Sequence, residues 1–438
     1  MLKRRFILIF MGLFVSISLC TLALPISSDI LLKNQPEKEI LSNGLTLIYQ
    51  EDDSSATSVV NILIRGGKRR EPEGKEGVAF LTTRLCLELP NQQLLQRLMN
   101  QATNRTYFCR NDFTIIRISC LSEHLEEAIK LGTQILKDPL FSGLRIDRIK
   151  EFMNHYRKLE EDEPINVAHI SALNCLFFGS PYAGSTYGTE KSLKEIKKRD
   201  VENYFNAYVK AGNMIVAVST NLKKEKTLNI MQPYFEKFPG GKPQEADPIS
   251  FAPEEEKISF LEKDTKQTLV YMAFLLPKIS KKTFIFATML QNLLGKGMNS
   301  KLWSLRTEKK LAYIVNSRAF HLKEGGMLEA YLETDQTKKD LAIEELKKTI
   351  QDLYQNGISA EEFSMTKVFS KGMVIRENET KDAKTYNLAF MEAQGLGYDF
   401  LNRILSEIEA TTLEEFNAFI QRILNPEKAV SITVGPTQ

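Results

Sequence analysis

The sequence predicts an α+β protein of two homologous domains, each a largely antiparallel sheet covered by helices on one face. Three observations lead to this prediction. The chain has 438 residues, which is more than one typical hydrophobic core accommodates. An internal repeat runs through most of that length. Within each half, strands come mostly as hairpins and helices come in runs, which is the pattern of α+β folds.

The repeat is visible in two pairs of segments. "EEAIKLGTQILKDPLFSG" places Ala128 fifteen residues before Gly143, and "DLAIEELKKTIQDLYQNG" places Ala342 fifteen before Gly357. Further on, the tripeptide "FNA" occurs at 205–207 and again at 416–418. The offsets of 214 and 211 residues predict two copies of one domain, 36–238 and 256–438. Between them, 239–255 contains four prolines and two glycines and is predicted to be a linker.

The elements of the first copy follow from local patterns. "GLTLIYQ" and "TSVVNILIRGG" are rich in apolar and β-branched residues and are predicted to be strands. "GKEGVAFLTTRL", residues 74–85, has Val78, Leu81 and Leu85 at helical spacing. "TYFCRNDFTIIRISC" is predicted to be a hairpin that turns at 110–112. An amphipathic helix, "SEHLEEAIKLGTQIL", follows, and later a last helix and strand close the domain.

The first 27 residues differ from the rest. Lys3, Arg4 and Arg5 precede an apolar run from Phe6 to about Leu24, which is typical of a secretory signal or of an anchor if it is not cut. We expect cleavage after Ala23, with a membrane anchor or lipidation of Cys20 as alternatives. A continuous apolar run is not a mitochondrial transit peptide. The sequence therefore predicts an exported bacterial protein, periplasmic or in the cell envelope, with membrane attachment through the N-terminus as an alternative.

The charge excludes one class of partner. The formal net charge of +3 falls to zero when Lys3, Arg4 and Arg5 are removed with the signal. A neutral chain offers no electrostatic reason to bind nucleic acid. The basic cluster between Arg65 and Lys75 alternates with glutamates, which predicts a solvated loop.

Four cysteines remain after Cys20: Cys86, Cys109, Cys120 and Cys175. The predicted hairpin places Cys120 about six residues, or roughly 20 Å, along the strand from the partner of Cys109. We therefore predict that these two are not bonded to each other, and that the other cysteines are buried free thiols.

Several stretches in order resemble the insulinase/pitrilysin family of peptidases, the inverzincins, in its two-domain form. They include "RGGKRREPEGKEGVAFL", "FFGSPYAGSTYGTEKSLKEIKKRDVENYFNAYV" and "LLGKGMNSKLWSLRTEKKLAYIVNS". The resemblance covers nearly everything after the signal. It implies the two-domain α+β fold described above.

The family's metal motif is degenerate in this chain. Active members carry His-x-x-Glu-His on a helix, in which two His bind Zn²⁺ and the Glu is the general base. Here the matching positions are Phe80, Thr83 and Arg84. The resemblance places the third ligand, a Glu in active members, at His155 or Tyr156, with Glu160 and Glu161 nearby. Because both His and the base are lost, we predict no catalytic residues and no metal in this chain.

The remaining histidines do not rebuild a zinc site. They lie at positions 124, 155, 169 and 321, and no two are three or four residues apart. Pro164 would interrupt a single helix between His155 and His169. We therefore expect no cofactor in this chain.

A second family motif is intact. Arg306 and Tyr313 in "LRTEKKLAY" match an Arg and a Tyr that, by the resemblance, donate hydrogen bonds to carbonyls of a peptide substrate. Guanidinium and phenol groups are donors suited to that role. The alternative is structural: Arg306 as a cation at a helix end and Tyr313 as an ordinary strand aromatic.

The glycines of "LLGKGMNS" precede the Arg306 helix. The segment lacks the Gly-Lys-Ser/Thr ending of a P-loop, so nucleotide binding is not predicted. It resembles the Gly-rich loop of non-catalytic subunits of the mitochondrial processing peptidase, which handles substrate. A tight turn that starts the helix is an equal alternative.

Two functions follow from the resemblance. In the first, this chain is the non-catalytic, substrate-binding subunit of a heterodimeric zinc peptidase, and an His-x-x-Glu-His homologue supplies the zinc. In the second, it is a structural or peptide-binding scaffold with no role in proteolysis, as in the core subunits of the respiratory cytochrome complex. The intact Arg306 and Tyr313 favour the first.

Overall fold

The computed structural model describes residues 31–89, 91–242, 248–249, 251 and 257–436. Its strands form two sheets. The first sheet has the order β1-β2-β6-β3-β5-β4 and the second has the order β7-β11-β8-β10-β9. The strands are β1 (Glu37–Ile40), β2 (Thr46–Glu51), β3 (Thr57–Arg65), β4 (Asn104–Cys109), β5 (Phe113–Leu121), β6 (Met214–Thr220), β7 (Lys257–Glu262), β8 (Thr268–Leu276), β9 (Ala312–Leu322), β10 (Gly325–Thr334) and β11 (Val430–Gly435).

Helices fill the connections within each half of the chain. Those of the first half are α1 (Val78–Leu85), α2 (Gln92–Asn100), α3 (Leu125–Lys137), α4 (Gly143–Asp162), α5 (Pro164–Leu176), α6 (Glu190–Glu195), α7 (Lys198–Tyr208) and α8 (Lys224–Phe235). Those of the second half are α9 (Lys281–Gly295), α10 (Trp303–Thr307), α11 (Lys339–Asn356), α12 (Ala360–Glu377), α13 (Lys381–Gln394), α14 (Phe400–Ala410) and α15 (Leu413–Ile423).

The topology of the first half is repeated in the second. In each sheet the last strand of the half runs parallel to its first long strand, as β6 does to β2 and β11 to β7. The other pairings are antiparallel. The serines Ser142 and Ser359 accept backbone hydrogen bonds at the N-termini of α4 and α12, which occupy equivalent places in the two halves. This repetition confirms the α+β class and the duplication.

Each sheet is covered on both faces, which goes beyond the prediction of helices on one face. The helices α3 and α8 of the first half pack on one face of the first sheet, and α13 of the second half packs on the other. In the same way α5 of the first half packs on the second sheet, against β8 and β11. The reason is the composition of the central strands. In β3 and β8 nearly every residue is buried, so both faces need an apolar partner.

The hairpin around residue 111 has the predicted turn. Cys109 pairs with Thr114 across the hairpin, and Cys120 pairs with Ser58 on the neighbouring β3. The prediction that these two cysteines are not bonded to each other is confirmed, and Cys86, Cys109, Cys120 and Cys175 are free. Cys175 is only partly buried, whereas the other three are buried.

Two predicted segments lie wholly or partly outside the residues that the structure describes. The signal or anchor at 1–27 lies outside the described residues. The linker predicted at 239–255 falls between the end of α8 and the start of β7, and several of its residues are also outside them. Within the ranges that the structure describes, no helix combines the length and apolarity needed to cross a bilayer.

Candidate functional site

The degenerate motif lies on α1, which is a packing element. Val78, Leu81 and Leu85 are fully buried, as their spacing predicted. The backbone N–H of Ala79 donates to the Glu71 carboxylate at 2.9 Å, so this side chain satisfies one orphan donor of the helix N-terminus. Burial raises the pKa of Glu71 to about 8. The helix of the metal motif is therefore retained as part of the core.

Aromatic rings surround the first former ligand position. The Phe80 ring lies edge-on to Tyr107 at 5.4 Å and to Tyr187 at 4.8 Å between centroids. Tyr187 in turn contacts Tyr156 of α4 at 5.7 Å. One of the two positions aligned with the third ligand, Tyr156, thus lies beside the same group of rings. Burial raises the pKa of Tyr187 to about 12, so its hydroxyl stays protonated and is no substitute for a carboxylate.

The other two motif residues have structural partners. The Thr83 hydroxyl donates to the Ala79 carbonyl at 2.8 Å, within the helix. Arg84 pairs with Glu88 at 2.6 Å, and its guanidinium lies over the Tyr107 ring at 5.7 Å. These side chains offer no imidazole or carboxylate to a metal. Among the residues that the structure describes, no group of three or more His, Cys, Asp or Glu is placed to hold an ion.

The basic segment after β3 is buried, so the prediction of a solvated loop is wrong there. Lys68 is 3% exposed and Arg69 is 7% exposed. The Lys68 ammonium donates to the Ala183 carbonyl and, at 2.5 Å, to the Gly184 carbonyl. Desolvation lowers the pKa of Lys68 to about 8. Backbone carbonyls that the tertiary fold brings close to Lys68 replace the water that would solvate its ammonium in an exposed loop.

Asp112 connects the two halves at the tip of the β4–β5 hairpin. Its carboxylate accepts hydrogen bonds from the Tyr182 hydroxyl at 2.6 Å and from the Lys323 backbone N–H at 2.9 Å. Lys323 lies in the β9–β10 turn, which is the equivalent hairpin of the second half. The two hairpin tips therefore meet, and charged groups fix their contact.

Arg306 and Tyr313 lie together at the surface. Arg306 is on α10 and Tyr313 is the second residue of β9, as predicted. The Arg306 guanidinium carbon lies 5.0 Å from the Tyr313 ring centroid and 4.6 Å from that of Trp303. Tyr313 is 71% exposed, an uncommon position for a strand aromatic whose role is packing. Tyr313 therefore faces solvent, and Arg306 is half-buried beside it.

This pair is not directed at the chain's own degenerate motif. Along β9, Tyr313 is nine residues, or roughly 30 Å, from Leu322 at the hairpin end where the halves meet. The groove beside Arg84 and Tyr156 is lined by residues of the first half alone. In the second sheet β9 is an edge strand, and α9 covers part of its outer side, where the Ala319 backbone N–H donates to the Gln291 side chain at 2.9 Å.

The Gly-rich segment is a tightly packed turn. A side chain at Gly295 would meet the Ser317 backbone nitrogen at 2.3 Å, and one at Gly297, where φ is +80°, would meet the Phe369 ring at 2.6 Å. The glycines are therefore explained by packing and backbone conformation.

A buried polar cluster was missed by the sequence analysis. Glu329, in the middle of β10, is fully buried and accepts hydrogen bonds from Tyr271 at 2.6 Å and from Arg318 at 2.8 Å. Its carboxylate also contacts the ring of His169, which comes from α5 of the first half. The feature of the sequence that could have indicated this cluster is the single internal glutamate, Glu329, in the otherwise apolar part of "GGMLEAYLET". A charge there requires partners that only the tertiary structure supplies.

This fold and this site define a class of protein: a two-domain metallopeptidase fold from which the zinc ligands and the base have been replaced. Two family models match the chain, "Insulinase (Peptidase family M16)" over residues 46–190 and "Peptidase M16 inactive domain" over 195–367. The chain belongs to the insulinase family and is a non-catalytic member of it.

Known proteins resemble the chain along its length. It is 25% identical to "Non-peptidase homolog YmxG" of Helicobacter pylori over 393 residues, covering 88% of this chain and 90% of that protein. It is 23% identical over 229 residues to "Cytochrome b-c1 complex subunit 1, mitochondrial" of Bos taurus, covering 50% of this chain and 46% of that protein. A crystal structure of a peptidase M16 inactive domain from Pseudomonas fluorescens superposes with a TM-score of 0.84 at 20% identity, covering 92% of this chain and 98% of that one.

Proposed function

We propose that this chain is the non-catalytic, substrate-binding subunit of a heterodimeric zinc peptidase that acts on peptides. A homologous partner with an intact His-x-x-Glu-His motif supplies the zinc and the general base. In this chain Arg306 and Tyr313 bind the substrate. No zinc is bound by the chain itself.

One observation carries the proposal: the contact between the half-buried Arg306 and the exposed Tyr313 at the start of the edge strand β9. The guanidinium presents several donors and the phenol presents one, and a peptide in extended conformation has regularly spaced carbonyls to accept them. Stacking on Tyr313 and Trp303 restricts the guanidinium, which lowers the entropic cost of binding. Because the pair does not line the groove of its own degenerate motif, it is available to a site on another subunit.

The second candidate is a structural scaffold of the same fold with no role in proteolysis. Its support is the similarity to a protein named as a subunit of the cytochrome b-c1 complex. The aromatic rings packed around Phe80 also show that the degenerate site contributes to the core, as a scaffold would require. A scaffold gives no reason, however, for Tyr313 to be exposed.

A reconstitution experiment distinguishes the two candidate functions. This chain is mixed with its His-x-x-Glu-His homologue, and cleavage of an unstructured fluorogenic peptide library is measured with and without zinc. We expect cleavage only by the mixture. Arg306→Ala and Tyr313→Phe should each lower kcat/KM by roughly ten- to a hundredfold, as loss of charged or phenolic hydrogen bonds predicts.

Arg403→Ala is the matched control, because Arg403 is an exposed arginine in an ion pair on α14. Complex formation is followed by size-exclusion chromatography, so a loss of cleavage with the complex intact identifies substrate binding. Unchanged cleavage in both variants would exclude the substrate-binding role. Full activity of the homologue alone would favour the scaffold.

We also propose that the protein is exported to the periplasm or cell envelope of a bacterium, on the basis of the apolar run after Lys3, Arg4 and Arg5. Mass spectrometry of the N-terminus of the purified protein distinguishes cleavage after Ala23 from a retained anchor and from a lipid on Cys20. An intact N-terminus in the cytoplasmic fraction would contradict export.

A further inference from the structure

The helix α12 of the second half carries an apolar stripe that is exposed to solvent. Met365, Val368 and Phe369 are exposed, Val368 by 61%. Gly372 follows one turn later, and a side chain built on it would meet no atom within 4 Å. Because a helix turns once in 3.6 residues, these four positions lie on one face. Met298, in the turn that packs on the Phe369 ring, is exposed beside them. Contiguous exposed apolar residues of this kind mark interaction surfaces.

The same face has a charge of opposite sign at each end. Glu361 lies one turn before Met365, and Arg376 lies one turn after Gly372. Both side chains are exposed. Within the part of the chain that the structure describes, neither of them takes part in an ion pair. The helix dipole favours an acid in the first turn and a base in the last, but it does not require either charge on the apolar face.

The equivalent helix of the first half, α4, does not have this stripe. Each of the two helices begins after a capping serine, and the alignment counts from that serine. The three buried positions of α4 then coincide with buried positions of α12. The positions of Met365, Val368 and Gly372 are polar and exposed in α4, where they hold Arg148, Glu151 and His155. The fold therefore does not require apolar residues on this face, and their presence on α12 indicates a binding surface.

We propose that this face of α12 binds the same face of a second copy of the chain, with the two helices antiparallel about a twofold axis. An axis that passes between Val368 and Phe369 places these two residues of one copy opposite Phe369 and Val368 of the other. The same axis places Met365 of each copy opposite Gly372 of the other. Because the space at Gly372 is open, it has room for the longer Met365 side chain.

The charges agree with the same register. The axis that pairs the apolar residues also places Glu361 of each copy opposite Arg376 of the other, which gives two ion pairs. A parallel pair of helices would instead bring the two glutamates together and the two arginines together, and like charges repel. The face is thus complementary to itself in size and in charge at one register. This complementarity is the reason to propose a second copy as the partner.

The neighbouring charges do not oppose this approach, and the interface is small. Lys301 is paired with Glu362, and both Lys367 and Lys371 are paired with Glu409 of α14. An 18-residue helix is about 27 Å long, so one pair of such helices buries less surface than a standard interface. We therefore expect a weak dimer. The inference does not depend on the proposed role in proteolysis.

Sedimentation velocity of the purified full chain, over a range of concentrations and without any other protein, tests the proposal. We expect a reversible equilibrium of monomer and dimer with a dissociation constant of roughly 1–100 µM. Val368→Glu should raise this constant by about tenfold or more, because it places a charge at the centre of the interface. Leu144→Glu is the matched control, since Leu144 is an exposed apolar residue of α4, and it should leave the constant unchanged.

Charge reversal tests the antiparallel register. Glu361→Arg and Arg376→Glu should each weaken the dimer by roughly three- to tenfold, because like charges replace the two ion pairs. The chain with both substitutions should dimerise like the wild type, since opposite charges again face each other. Damage to α12 itself would add up in the double variant and would not be compensated. A parallel pair would not be weakened by either single substitution.

Three results would overturn the proposal. The first is a wild-type chain that stays monomeric up to about 1 mM. The second is a dimer that Val368→Glu does not weaken, which would show that another surface associates. The third is a monomeric wild-type chain that uses the stripe for another partner. In that case binding of the His-x-x-Glu-His homologue, or of phosphatidylglycerol vesicles, would be lost in Val368→Glu. Because the first two measurements contain this chain alone, their failure leaves the proposed role in proteolysis unaffected.

Discussion

The guanidinium carbon of Arg306 lies 5.0 Å from the centroid of the exposed Tyr313 ring. The two residues are on different elements, a short helix and the edge strand that follows it. The contact fixes two hydrogen-bond donors side by side on an open surface. The degenerate α1 shows the opposite arrangement, since there every motif side chain is engaged within the chain.

Substitutions of the surface pair should have little effect on stability. For Arg306→Ala and Tyr313→Phe we expect the free energy of unfolding to change by no more than about 0.5 kcal/mol, because neither residue is part of the core. Urea denaturation followed by circular dichroism measures this. A loss of several kcal/mol would mean that the pair is structural, and the substrate-binding role would lose its main support.

Phe80→Ala should destabilise the protein by about 3–5 kcal/mol, because it removes a buried aromatic ring packed on Tyr107 and Tyr187. The control is Phe178→Ala, a phenylalanine that is 63% exposed, for which we expect a change within about 0.5 kcal/mol. Thermal and urea unfolding of both variants provide the comparison. Equal effects of the two substitutions would contradict the assignment of Phe80 to the core.

Restoring the three His-x-x-Glu-His residues should not be sufficient for stable zinc binding. In a triple variant with Phe80→His, Thr83→Glu and Arg84→His, we expect zinc to be lost on dialysis against a chelator. A catalytic zinc site needs three protein ligands, and the position beside the former site on α4 is Tyr156. The metal content is measured by mass spectrometry, with the wild-type chain as the reference. Retention of one zinc per chain would show that another residue completes the site.

Glu329→Ala should cost about 3–5 kcal/mol, because it removes the buried carboxylate that accepts hydrogen bonds from the buried Tyr271 hydroxyl and from Arg318. Glu329→Gln should cost less, since the amide oxygen still accepts hydrogen bonds. Glu190→Ala removes an exposed partner of Lys194 and should leave the stability close to that of the wild type. Denaturant unfolding of the three variants gives the ranking, and an inverted order would refute this account of the interdomain cluster.

The stability should depend on pH through His321. Burial lowers its pKa from 6.5 to about 4 in the folded state. Between these values the unfolded chain binds a proton that the folded chain does not, so the free energy of unfolding falls as the pH falls from 6.5 to 4. The contribution amounts to about 3 kcal/mol at most.

His321→Phe provides the measurement. The substitution keeps a ring against Phe284 and removes the titrating group. We expect the variant to lose less stability than the wild type over this pH interval, while the two respond alike above pH 7. Parallel pH profiles across the whole range would show that His321 does not contribute.

Much of the fold could be predicted from local patterns. Apolar and β-branched content indicated the strands, the offset between Ala128 and Ala342 indicated the duplication, and the spacing of Val78, Leu81 and Leu85 indicated the buried face of α1. Arg306 and Tyr313 were identified by the resemblance of their surrounding segment. The predictions of strands, duplication and buried helix face succeeded because they depend on patterns of residues that are close in the sequence. The substrate-binding role of Arg306 and Tyr313 stays a prediction.

The failures have a common physical cause. Lys68 and Arg69 belong to a charged segment that looks solvated, and Glu329 is an isolated acid in a strand, but the groups that compensate all three are far away in the sequence. The second helical layer on each sheet was missed for the same reason, since α5 and α13 cross to the other half.

The sequence by itself determined that this is a duplicated α+β chain in which Phe80, Thr83 and Arg84 stand at the His-x-x-Glu-His positions, because residue identity at a motif is a property of single positions. Only the tertiary structure decided how the side chains at the motif positions are packed and which charged groups are buried. Those outcomes depend on the partners that folding brings within hydrogen-bond distance, such as Lys323 for Asp112 and His169 for Glu329.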